Sequence, residues 1–181
     1  MPEDTDPPIT RLGSHIAWES PWYRVRADRV RWPDGSTGVY NVVEKAPSVF
    51  IVPVTHTGDI VLIHSYRHPL GRWCWELPAG AIEPGQTPQQ AAAAELLQET
   101  GGSAAHWRHL ATLPTMNGTG DHLAHFFLAT CVTLGAPNLE HTEALRVQPT
   151  ARADAIAMAL SGQMQDAVSV AALLMAAPLL E

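Results

Sequence analysis

The stretch Leu77–Gly102, LPAGAIEPGQTPQQAAAAELLQETGG, decides how this chain reads. Its first residues have the character of a strand end running into a glycine-rich loop. Thr87, Pro88 and Gln90 then make a helix start: a hydroxyl N-cap, a proline at the first helical position, and a glutamine placed to close a capping box. Gly101 suits a left-handed C-cap, so the spacing predicts a helix from about Pro88 to Thr100. Within it Glu95 and Glu99 stand one turn apart and point the same way, with Gln98 beside them. A lone pair of glutamates on a helix is usually a solvated face. Facing a loop with little side-chain bulk, the same pair can hold a hard divalent cation through oxygen. That combination reads as a metal site for phosphate chemistry.

Composition sets the frame around that segment. At 181 residues the chain is long enough for one domain with a substantial core. It is 46% hydrophobic and 16% charged, with no apolar run of membrane-spanning length. The opening MPEDTDPPIT is acidic and proline-rich and lacks the basic and apolar regions of a signal peptide; residues 1–12 read as disordered. Cys74 and Cys131 have no partners at metal-site spacing and read as reduced thiols of a cytoplasmic protein. A net charge of −7 argues against nucleic acid as a partner. The charge is uneven: Arg24, Arg26, Arg29 and Arg31 cluster early, and only Arg108, Arg146 and Arg152 are basic after Arg72. Such a cluster is either a site for an anionic substrate or the exposed face of a strand.

From Ile16 to Arg67 the pattern is mostly β. Strands are expected at Tyr23–Val30 and Gly38–Glu44 around the turn Pro33-Asp34-Gly35, then at Val49–Val54 and Ile60–His64 as a central hairpin. Further strands are expected at His109–Leu113, Ala124–Thr130 and about Ala144–Val147. Thr150 and Asp166 are the expected caps of two C-terminal helices, the last stopped by Pro178. This order describes an α+β protein. No dinucleotide or P-loop glycine motif occurs, and the histidine pairs His106/His109 and His122/His125 lack the context of a zinc signature.

The Leu77–Gly102 segment resembles the signature of the Nudix hydrolases. Gly80, Glu95, Leu96, Glu99 and Gly101 match it; Gln86, Ala94, Gln98 and Gly102 stand where the family has Glu, Arg, Glu and an aliphatic residue. The approach Tyr66-Arg67-His68-Pro69-Leu70-Gly71-Arg72-Trp73 and Trp75-Glu76-Leu77-Pro78-Ala79-Gly80 resembles the ADP-ribose pyrophosphatase branch, as does Pro21-Trp22. The likeness covers roughly residues 16–177. It implies a Nudix-type α/β/α sandwich with a mixed sheet and an N-terminal antiparallel β-extension. The expected divisions are an N-terminal β region over 13–47 and the Nudix domain over 48–181.

The resemblance also implies roles. Glu95 and Glu99, the backbone carbonyl of Ala79 and, in place of a third carboxylate, Gln98 would hold Mg²⁺ or Mn²⁺. Glu140 or Glu143 would be the general base; either is equally readable as a charged surface loop. Arg67 and Glu76 would meet substrate or the metal site, with a structural salt bridge as the alternative for Arg67. Trp22 would stack a base, or else pack in a core or dimer interface; Arg24 and Gly80 complete the substrate set. The implied reaction is hydrolysis of a nucleoside diphosphate sugar, ADP-ribose foremost, by a homodimer. Gln86, Ala94 and Gln98 keep a second expectation open, a Nudix-fold module that binds without hydrolysing. Thr115-Met116-Asn117-Gly118 and Asp121, replacing the branch's Ser-Pro-Gly and following acid, leave the sugar undetermined.

Overall fold

The computed structural model describes residues 7–180 and divides into two compact units, one of residues up to 46 with 114–122, the other of 47–113 with 123–181. The first carries an antiparallel sheet of β1 (Thr10–Glu19), β2 (Arg24–Arg31) and β3 (Thr37–Glu44) in that order. β2 buries Ala27 on one face and Asp28 and Val30 on the other; the Asp28 carboxylate accepts from Ser14 Oγ at 2.5 Å and from Arg26 Nε at 2.8 Å. β1 begins at Thr10, inside the stretch expected to be disordered; residues 1–6 lie outside the described residues. The loop at 114–122 was expected to belong with the later domain, yet it hydrogen-bonds to β3. The Val43 N–H donates to the Thr119 carbonyl at 2.8 Å, and Tyr40 Oη donates to the Gly118 carbonyl at 2.9 Å.

The second unit is built on a mixed sheet in the order β10-β5-β4-β9-β8. Its members are β4 (Ser48–Thr55), β5 (Ile60–Arg67), β8 (Ser103–Pro114), β9 (Leu123–Thr133) and β10 (Leu145–Thr150). Two short strands join it: β6 (Arg72–Glu76) on β5, and β7 (Ala79–Ala81) on β4. The β4–β9 pair is parallel; it sits at the centre, where β4 reads SVFIVPVT and is buried on both faces. Val49 and Ile51 of β4, with Phe127 and Ala129 of β9, pack on α1 (Pro88–Thr100) through Ala91, Ala92 and Leu96. Val52, Phe126 and Leu128 face the other way, onto α2 (Arg152–Ser161) and α3 (Ala167–Ala176). Helices on both faces of a mixed sheet make the expected α/β/α sandwich.

The local signals for α1 are realised: Thr87 and Gln90 form a reciprocal capping box, Pro88 opens the helix, and Gly101 closes it at φ 63°. Asp166 caps α3 by accepting the Ser169 N–H at 2.8 Å. Thr150 does not cap α2. It ends β10, its hydroxyl donates to the Gln148 carbonyl, and Ala151 takes the N-cap position without a side-chain bond. Among the described residues, no helix is long and apolar enough to cross a membrane.

Candidate active site

The β7 backbone is held along its whole length by β4 and the residue before it. Ala79 and Gly80 pair with Phe50 and Val49 of β4. The Ile51 N–H donates to the Pro78 carbonyl at 2.9 Å, and the Ile82 N–H to the Pro47 carbonyl at 2.8 Å. Because α1 buries Ala91, Ala92 and Leu96 on the sheet, its Glu95 and Glu99 turn towards this strand. Glu99 is 4% exposed, and its Oε2 accepts the Ala79 N–H at 2.9 Å. Glu95 lies against Gly80, where a β-carbon would overlap its carboxylate. Only glycine allows that approach.

Burial dominates the electrostatics. It pushes Glu95 up to about 7, with further upward contributions from the charges of Glu143, Glu140 and Glu83. Glu99 is pushed well above the ordinary carboxylate range, again by burial first; the Ala79 N–H and the charge of Arg67 pull it back. Two desolvated carboxylates side by side are unfavourable as anions unless a cation joins them. The donors available are hard oxygens suited to such a cation: the two carboxylates, the Ala79 carbonyl and the amide of half-buried Gln98. Among the described residues, no three His, Cys, Asp or Glu side chains gather as a metal cage.

The loop before β10 brings in the other acids. The Glu140 N–H donates to Glu143 Oε2 at 2.8 Å, and the Glu143 N–H to the Glu140 carbonyl at 3.0 Å. The charge of Glu143 acts on both Glu95 and Glu99, whereas that of Glu140 acts on Glu95. Glu83, which the sequence reading passed over, reaches Glu95 in the same way. Its only signal was an acid in the loop between Gly80 and the helix cap. Gln86, at the signature's first acidic position, closes that loop by accepting the Glu83 N–H at 3.1 Å. Ala94, at the signature's basic position, is uncharged as well, so no orphan charge is left.

The β5–β6 register sets Arg67 opposite Arg72 and Glu76 opposite Ile63, on one face of the hairpin, and the long Arg67 side chain reaches along that face to Glu76. Arg67 Nε donates to both Glu76 oxygens, at 2.9 and 3.0 Å, and Nη2 adds a third bond to Oε2. Arg67 is thus in an ion pair with a buried carboxylate, and its charge also reaches Glu99. Trp22 and Arg24 lie in the N-terminal unit, in an open cleft of about 410 Å³ lined also by Tyr23, Glu44 and Lys45. Trp22 is 71% exposed there, and Arg24 Nε donates to Glu44 Oε2 at 2.5 Å. The histidines regroup across strands: His109 and His125 each bond the Thr112 hydroxyl, at 3.0 and 2.9 Å.

Comparison with known proteins shows the family. The NUDIX domain family matches residues 44–168, and the nucleoside diphosphate sugar hydrolase N-terminal domain matches residues 9–43. The chain belongs to the Nudix family, and it is a pyrophosphohydrolase of that family. It is 35% identical over 155 residues to an ADP-ribose pyrophosphatase of Mycobacterium tuberculosis, covering 84% of this chain and 75% of that one. It is 30% identical over 140 residues to an ADP-ribose pyrophosphatase of Bacillus subtilis, covering 76% of each. A crystal structure of an ADP compounds hydrolase superposes with a TM-score of 0.79 at 20% identity, covering 95% of this chain and 94% of that one. At that identity the superposition speaks for the fold.

Proposed function

We propose that the protein hydrolyses the pyrophosphate bond of a nucleoside diphosphate sugar, with ADP-ribose as the leading substrate, to a nucleoside monophosphate and a sugar phosphate. The observation that carries this reading is the burial of Glu95 and Glu99 one helical turn apart against Ala79 and Gly80. The curated ADP-ribose pyrophosphatases to which the chain is similar support the substrate. Glu95, Glu99, Gln98 and the Ala79 carbonyl would hold Mg²⁺ or Mn²⁺. Such a cation supplies positive charge to the diphosphate and acidifies a water for attack on phosphorus.

The remaining work falls to the chain. Glu143 is the better base of the two loop acids, since its charge bears on both helix carboxylates. It takes the proton of the attacking water and holds it while the phosphorus–oxygen bond to the leaving group breaks. Arg67, oriented by Glu76, offers a cation to the diphosphate oxygens. Trp22, with Arg24 beside it, offers a stacking face and a charge for the nucleoside end. Both cysteines are unpaired, which accords with a cytoplasmic setting.

The test is nucleotide release from ADP-ribose and related compounds, with Mg²⁺ and with chelator. Wild type should turn over only with metal, and Glu95→Gln should lose at least about 100-fold of that rate. Unchanged turnover in Glu95→Gln would end the assignment.

A further inference from the structure

The chain from Leu134 to Glu143 leaves β9 and crosses the C-terminal end of α1 before it reaches the acidic loop. The crossing is backbone on backbone. A β-carbon on Gly135 would come within 2.7 Å of the Gly101 carbonyl oxygen, and one on Gly101 within 2.6 Å of both the nitrogen and the carbonyl oxygen of Ala136. Neither side can yield cheaply, because what each would strike is main chain. The last carbonyls of a helix have no partner within it, and this segment supplies two. The Gly135 N–H donates to the Thr100 carbonyl at 3.4 Å, and the Asn138 N–H to the Gln98 carbonyl at 2.8 Å.

Two anchors therefore bracket the loop acids. Upstream, Asn138 is tied to the turn of α1 that carries Gln98 and Glu99. Downstream, the Ala144 carbonyl accepts the Tyr66 N–H at 2.9 Å, beside Arg67. Only the residues from 139 to 143 lie between, and they are stiffened by the mutual bonds of Glu140 and Glu143. The span is too short to absorb a displacement at the crossing without moving Glu143.

We infer that Gly135 is a positioning residue: its contact with Gly101 sets the distance from Glu143 to the Glu95–Glu99 pair. Nothing in the signature requires a glycine here, and no local pattern marks it. The requirement arises where two distant stretches of main chain meet. The inference rests on the reading of Glu143 as the base. Its mechanism of action is geometric: a base displaced by about an ångström loses rate with little effect on substrate affinity.

The experiment is a double-mutant cycle on the full chain, with ADP-ribose and Mg²⁺. Gly135→Ala should retain the wild-type circular dichroism and lower kcat by about 100-fold, with KM within about two-fold. In a Glu143→Gln background, whose residual rate is followed in long incubations, Gly135→Ala should cost nothing more. Should Gly135→Ala fail to fold, Asn138→Pro, which deletes the N–H given to Gln98, carries the same cycle and the same expectations. An equal loss from Gly135→Ala, or from Asn138→Pro in its place, in both backgrounds, or a wild-type kcat in that variant, would overturn this inference alone. Wild-type turnover in Glu143→Gln would overturn the base assignment and this inference together.

Discussion

Gly80 lies flat against the carboxylate of Glu95, with no room for a β-carbon between them. The strand that carries Gly80 is pinned to β4 by its register and by the Ile82–Pro47 bond, so it cannot retreat. Gly80→Ala must therefore push Glu95 aside. The expected result is a folded protein with a higher metal requirement and about 10- to 100-fold less activity, the usual cost of disturbing a ligand's support. Activity titrated against Mg²⁺ concentration checks it, and a wild-type titration would show that Glu95 need not sit where it does.

Gln98 offers a change in the opposite direction. It is half-buried on the same turn as Glu99, at the position where the signature has an acid. A neutral amide oxygen attracts a divalent cation less than a carboxylate does. Gln98→Glu should lower the Mg²⁺ concentration for half-maximal activity, by about 10-fold if the new oxygen reaches the ion. An unchanged or higher requirement would remove Gln98 from the donor set.

Much of this geometry is legible in the sequence because it is local. Thr87, Pro88, Gln90 and Gly101 mark the ends of α1 within one short segment, and the phase of Glu95 and Glu99 follows from helix geometry alone. What escaped the reading depends on contacts between distant residues. β1 shows no alternation because nearly every residue on it is exposed, so periodicity has nothing to report. Thr150 has the right chemistry for a cap, but its backbone is claimed by pairing with Ile60 on β5. The Arg67–Glu76 pair, the grouping of the 114–122 loop with β3, and the Gly101–Gly135 crossing each join residues that only the folded chain brings together.

The raised carboxyls predict how stability depends on pH without metal. Glu95 titrates near 4.5 when unfolded and at about 7 in the fold. Between those values the native chain binds more protons than the unfolded one, so stability falls as pH rises through the window. Glu99, shifted the same way, extends the fall upward. The carboxyls of Asp28 and Glu44 are lowered by their arginine partners and act on the acid side of this range. His122 and His125, lowered by burial, act in the same range with the opposite sign. Thermal melts in chelator from about pH 5 to about pH 8 should therefore show a midpoint that falls more steeply, or rises less, with pH in wild type than in Glu95→Gln. Mg²⁺ favours the ionised carboxylates, so its stabilising effect should grow over the same range. The same pH dependence in wild type and in Glu95→Gln would contradict the assigned burial of Glu95.

Assembly is the last expectation, and the N-terminal unit motivates it. β1 is an edge strand of ten residues, exposed along nearly its whole length. Ile16 and Trp18 are 41% and 49% exposed, and Trp22 stands 71% exposed in the cleft beside Arg24. A long open edge with large apolar side chains is normally covered or blunted, since its free N–H and C=O groups invite another strand. On the neighbouring strands Arg26 binds Asp28 and Glu44, and Arg24 binds Glu44, so the charges that β1 itself offers to blunt the edge are those of Arg11 and Glu19 at its two ends. A second copy of the chain would cover this surface, and a two-fold arrangement does so with identical contacts on each side. We therefore expect a symmetric homodimer by light scattering at micromolar concentration, with Trp22→Ala raising KM for ADP-ribose more than it lowers kcat. Deleting residues 1–32 should abolish both the dimer and the activity. A monomer mass for the intact chain, or full activity in the truncated one, would show that the exposed tryptophans serve neither assembly nor substrate.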